Sequence, residues 1–156
     1  MQSTDHSQTT ALITGGTQGL GLAVAHELVA AGCRQRILVG RSAEKGARAK
    51  AELEARGAKA VFQSCDIAKA DACEALLKTA HAEFGPINAL LTSAALTTRG
   101  SILDSSPELF DAHINTNLRA PFYLMQGVAN QLIAADQSGS MVNILSVSAY
   151  VGQSFL

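Results

Sequence analysis

Apolar residues fall in two alternating patterns along the chain. Short runs, Ala11-Leu12-Ile13, Ile37-Leu38-Val39, Ala60 to Cys65, Ile87 to Leu91 and Met141 to Leu145, have the length and β-branched content of buried strands. Between them, apolar residues recur three and four apart, as in an amphipathic helix. Leu20, Ala23, Val24, Leu28 and Ala31 form one such face, closed by Gly32 in a C′ position. A second helix is expected over 43–56, ended by Gly57, with an i,i+4 pair Glu52–Arg56 on its solvated face. A third, over 69–83, carries Ala72, Leu76, Leu77 and Ala80 on one side and stops at Phe84-Gly85-Pro86. Ser106-Pro107-Glu108 reads as a helix start, and a long helical region runs on through Asn117 to about 136, with Pro121 as the expected break or kink.

Strands that alternate with helices predict a three-layer α/β/α fold: a doubly wound, Rossmann-type parallel sheet with helices on both faces. Ligands of such sheets bind at the carboxyl ends of the strands. Nothing divides the chain, so one domain is expected over 10–156, preceded by a polar, flexible leader over 1–9.

Composition narrows the function. With 47% hydrophobic and 16% charged residues, the 156-residue chain is expected to be globular. A net charge of −1, no basic cluster and 4% aromatics point away from nucleic acid. No apolar stretch is long enough to span a membrane, and no secretory pattern opens the chain. Three unpaired cysteines fit a reducing cytoplasm, with idle or buried thiols. The four histidines lack metal spacing, so no metal site is expected and none is given a catalytic role.

The chemistry concentrates at predicted strand ends. Thr14-Gly15-Gly16-Thr17-Gln18-Gly19-Leu20-Gly21 joins the first strand to the first helix. Its glycines allow a sharp turn, close approach of a phosphate and tight helix packing, and the helix amides face a pyrophosphate. Gly15, Thr17, Gln18, Gly19, Leu20 and Gly21 are therefore candidate cofactor contacts. After the second strand, an acid would hold an adenosine ribose and indicate NAD; this chain has Arg41 and Ser42 instead, which favours the 2′-phosphate of NADP, with NAD still possible. Asp66, after the third strand, can accept from an adenine amino group, with Ile67 on the ring; an Asx turn or helix cap is the alternative for Asp66.

These motifs, with Asn117 in Asn115-Thr116-Asn117-Leu118 and the run Val142 to Ser146, occur in the order of the short-chain dehydrogenase/reductase family, and the chain resembles its classical members from about residue 10 onward. The resemblance implies a nicotinamide cofactor and hydride transfer between it and a carbonyl or secondary alcohol. It assigns Ser146 to the substrate carbonyl, with Ser148 a weaker candidate. It assigns Asn117 to a bent helix that links a lysine to solvent through water, and Ser93 and Ala94 to the cofactor. It also implies a homodimer or homotetramer, paired through helices such as the one bearing Leu118, Phe122, Met125, Val128, Ala129 and Leu132. The family's Tyr-x-x-x-Lys is nowhere in the sequence, and Tyr150 lies too near Ser146 to supply it. The expectation is that these residues are the N-terminal portion of a longer enzyme and do not turn over alone. A sheet ending at a fifth strand leaves a hydrophobic edge. A second departure is Thr92-Ser93-Ala94-Ala95 where the family has Asn-Asn-Ala-Gly, which requires an ordinary φ at Ala95. The rival function is a dinucleotide-binding sensor or scaffold without chemistry.

Overall fold

Neighbouring apolar residues on each strand point to opposite faces, and the helices are sorted accordingly. Leu12, Ile37 and Leu90 pack into one core, Ile13, Leu38 and Leu91 into the other. The strands are β1 (Thr10–Thr14), β2 (Gln35–Gly40), β3 (Lys59–Ser64), β4 (Ala89–Thr92) and β5 (Ser140–Asn143). The computed structural model describes residues 5–33, 35–69 and 71–150. All pairings are parallel, in the order β3-β2-β1-β4-β5. Helices α1 (Gly19–Ala30) and α2 (Ala43–Glu54) cover one face. Helices α3 (Ala72–Phe84) and α5 (Ala120–Ala134) cover the other, so the doubly wound, three-layer fold is as expected. Between α3 and α5 lies α4 (Pro107–Ile114), capped by the Ser106 hydroxyl.

Several sequence expectations need correction. The buried side of α1 is Gly21 and Ala25, flanked by Leu22, Val24, Leu28 and Val29; Leu20 and Ala23 face outward. This apolar stripe is wide enough to be rotated and still satisfy the sheet. Glu52 pairs with Arg48 and with His26 on α1, not with Arg56; the Arg56 guanidinium instead meets His26 Nδ1 at 2.8 Å, drawn across to the neighbouring helix. Residues 5–9 of the supposed leader are tied down. The His6 amide bonds the Ala31 carbonyl, and Asn88 clasps this strap through Thr10 N–H and Gln8 C=O. Residues 1–4 and 151–156, including Phe155 and Leu156, lie outside the described residues.

Pro121 sits in the first turn of α5. The irregularity comes just before it, as a π turn over Asn115–Arg119. Proline has no amide hydrogen to return to the carbonyl four residues back, which is Asn117, and the turn before it is wide, with the Ala120 amide bonded to the Asn115 carbonyl five residues back. On α5, Ala120, Leu124, Val128 and Leu132 are buried, Met125 and Ala129 half-buried, and Phe122 is 54% exposed; Leu118, in the π turn, is 63% exposed. The β5 edge is open, with Val142 and Leu145 exposed.

One side chain violates the partition. Arg36, in β2, is completely buried, and among the described residues none of its three guanidinium nitrogens has a partner. Burial lowers its pKa, and nearby Cys33 only partly opposes this.

Candidate cofactor and substrate site

β1 is central, and the strand order reverses between it and β4, so a crevice opens where the loops after these strands diverge. The glycine loop forms one side. At Gly15, φ is +68°, and a Cβ would stand 2.9 Å from the Ala94 backbone nitrogen. Only glycine lets the two loops touch there. The Thr14 hydroxyl completes the contact, accepting from the amides of Ser93 at 3.1 Å and Ala94 at 3.2 Å. Ala95 takes an ordinary φ, as its replacement of glycine requires; Asp136 is the only non-glycine residue with positive φ among the described residues.

Gly19 opens α1 at φ +54°, and a Cβ built on it meets no protein atom within 4 Å. Gln18 precedes it as N-cap without a side-chain cap bond. The first-turn amides of α1 therefore face open space with the positive end of the helix dipole behind them, which suits an anion. Thr17 is buried against Gly40 at the end of β2, which fixes the loop beside the second strand.

Arg41 and Ser42 follow directly. Ser42 caps α2, accepting the Lys45 amide at 3.2 Å, while Arg41 is exposed. The same helix brings in a residue that sequence reasoning missed: Lys45 donates its Nζ to Gln18 Oε1 at 2.7 Å. Its position in the first turn after a cap was the available signal. Asp66 makes the Asx turn, accepting from Ala68 N–H at 3.2 Å. Ile67 is part of the core, 7% exposed.

The second half of the site is an open cleft of about 1640 Å³, lined by Ser93, Ala94, Asn117, Ser146 and Ser148 together with the loop after β4. It gathers the candidate substrate-side residues, while the glycine loop, Arg41 and Asp66 lie outside it. The Ser146 hydroxyl accepts the Ser148 amide at 3.2 Å and donates to the Ser148 hydroxyl at 2.9 Å. Asn117 lies within the π turn; its amide clasps Leu96, accepting from N–H at 2.8 Å and donating to C=O at 2.9 Å. His113, set aside on sequence, also lines this cleft and touches Asn117. The cysteines take no part: burial raises all three thiols, Cys73 to about 11.

The family model described as short chain dehydrogenase matches residues 9–156. The chain belongs to the short-chain dehydrogenase family. Among curated members it is 30% identical over 148 residues to L-rhamnose 1-dehydrogenase (NAD(P)(+)) of Azotobacter vinelandii, covering 92% of this chain and 57% of that one. It is 32% identical over 142 residues to 2-dehydro-3-deoxy-D-gluconate 5-dehydrogenase of Escherichia coli, covering 91% and 55%. This short-chain dehydrogenase chain thus spans little more than half the length of the curated relatives it matches. A metagenomic short-chain oxidoreductase solved in complex with NADP superposes with a TM-score of 0.87 at 31% identity, covering 97% of this chain and 67% of that one. An actinorhodin polyketide ketoreductase solved with NADPH gives 0.87 at 27%, covering 97% and 58%. Among the described residues, no helix is long and apolar enough to cross a membrane.

Proposed function

We propose that this chain is the cofactor-binding part of an NADP-dependent oxidoreductase acting on a small-molecule carbonyl or secondary alcohol. The observation that carries the reading is the open cradle at Gly19, with Lys45 tied to it through Gln18 and the exposed Arg41 at the end of the neighbouring strand β2. The α1 amides hold the pyrophosphate. Arg41, in a strand end Gly40-Arg41-Ser42 that carries no acid, takes the 2′-phosphate by charge-assisted hydrogen bonds, Lys45 adds a second positive charge, and Asp66 accepts from the adenine amino group. Bound NADPH supplies a hydride. Ser146 turns its hydroxyl from Ser148 to the substrate oxygen and steadies the negative charge developing there. The carbonyl of Asn117, relieved of its usual helix donor by Pro121, is free to order a water. The exposed Leu118 and Phe122 support pairing of two such chains through this helical region.

The test is a fluorescence titration of the full-length protein with NADPH and with NADH. Arg41→Ala is expected to weaken NADPH by about tenfold or more, the scale of one charge-assisted hydrogen bond, and to leave NADH nearly unchanged. Equal losses for both cofactors would remove the assignment to the 2′-phosphate.

A further inference from the structure

The amide of Asn117 is fully used, and its last hydrogen goes to a histidine. Its Oδ1 accepts from Leu96 N–H, its Nδ2 donates to Leu96 C=O, and the second Nδ2 hydrogen meets His113 Nδ1 at 3.3 Å. The other ring nitrogen, Nε2, lies 2.7 Å from the Thr98 carbonyl oxygen. A carbonyl only accepts, so Nε2 must carry the hydrogen; an amide nitrogen only donates, so Nδ1 must be bare. One form of the ring satisfies both partners, the neutral Nε2–H tautomer. Flipping the Asn117 amide would set oxygen against oxygen and N–H against N–H at Leu96, so the whole chain of bonds has a single direction.

The loop after β4 depends on these bonds. Among the described residues, every hydrogen bond made by residues 95–100 runs to Asn117 or His113. Ala94, just before, is held by Thr14; Ser101, just after, by Asp104. The intervening residues line the cleft, as does Ser146.

We infer that His113 is a positioning residue of the site: its neutral Nε2–H ring fixes the Asn117 amide and ties Thr98 to α4, and so sets the wall of the cleft. The inference rests on reading Asn117 and this loop as part of an oxidoreductase site. His113 acts through Asn117 and Leu96.

The test uses nitrogen-15-labelled full-length protein. At neutral pH, the His113 spectrum is expected to show Nδ1 as a bare ring nitrogen and Nε2 as the N–H. Exchange of the Leu96 amide should speed up by about fivefold in His113→Leu, the loss of one hydrogen bond's worth of local protection. His113→Asn, whose side-chain oxygen can replace Nδ1 as acceptor for Asn117, should stay within about twofold of wild type. A protonated ring, the Nδ1–H tautomer, or Leu96 exchange unchanged in His113→Leu overturns the inference. So does an Asn variant as fast as the Leu variant at unchanged global stability. Should both variants misfold, the wild-type tautomer decides alone. NADPH added to the same samples and read at the amides of 19–21 reports on the cofactor separately. Silence there strikes the proposed function, while the tautomer and the Leu96 exchange still judge His113.

Discussion

The hydroxyl of Thr14, at the end of β1, accepts the backbone amide of Ser93, at the end of β4, across 79 residues of sequence. The same oxygen takes the Ala94 amide, so one buried side chain is the acceptor for Ala94 and a second acceptor for Ser93, whose amide also meets the Thr14 carbonyl at 3.3 Å. Thr14→Val keeps the shape and removes the acceptor. It should destabilise the fold by about 1–3 kcal/mol, the cost of leaving the Ala94 amide without its acceptor, with Thr14→Ser recovering most of the loss. Urea unfolding of the three proteins measures both.

Gly15 and Gly19 separate stability from binding. Both have positive φ, but a methyl group at Gly15 meets the Ala94 backbone, while at Gly19 it meets open space. Gly19→Ala should cost the fold only about 1–2 kcal/mol for its left-handed backbone, yet weaken NADPH by more than about tenfold, because the methyl stands where a phosphate must approach the amides. Gly15→Ala adds a steric clash to the same backbone cost and should unfold at distinctly lower urea. A Gly19→Ala protein that binds NADPH normally would mean that the cradle is not the phosphate site.

The architecture was legible in the sequence because two periods carry it. Runs such as Ile37-Leu38-Val39 have neighbours buried on opposite faces, and the glycine loop stands at the one junction where those residues have a use. What was not legible depends on side chains meeting across long separations. Pro121 announces a disturbed helix, but its effect falls on the carbonyl one turn earlier, so the π turn lies ahead of it. Lys45 reads as one more charge on a solvated helix until Gln18 is placed against it. His113 carries no spacing signal at all; its role needs the loop after β4 folded back over α4.

Arg36 offers a gain in stability. Its guanidinium is sealed in the sheet without a partner among the described residues, flanked in register by Ala11 and Ala60. Arg36→Met keeps a long apolar stem and removes the uncompensated charge. Replacement of buried charges by apolar groups of similar volume suggests a stabilisation of about 1–4 kcal/mol. A thermal midpoint that rises for Arg36→Met is the expected result, and one that falls would show that the guanidinium is solvated or paired in solution.

Cys73 gives the fold a dependence on alkaline pH. Burial, reinforced by Cys65 and partly offset by Arg119, raises its thiol from 9.0 to about 11. In the unfolded chain it loses its proton near the lower value. Between these limits the unfolded state binds fewer protons, so stability falls as pH rises; below the lower limit the full contribution is present. The loss across the window is on the order of 2 kcal/mol. In Cys73→Ala the urea midpoint should fall less steeply over that range than in wild type, although the variant starts lower for lack of the buried sulfur. Parallel slopes would exclude Cys73 as the source.

The position of β1 also shapes how the molecule is made. Thr10 must wait for Asn88, 78 residues later, before the centre of the sheet can close. A chain emerging from the ribosome can assemble β1, α1, β2 and β3 as a half-sheet. One flank of β1 stays bare until β4 is translated. That long-range parallel pairing is slow, and the waiting half-sheet presents a sticky edge, so yield in expression should respond to chaperone supply more than to the stability of the finished fold.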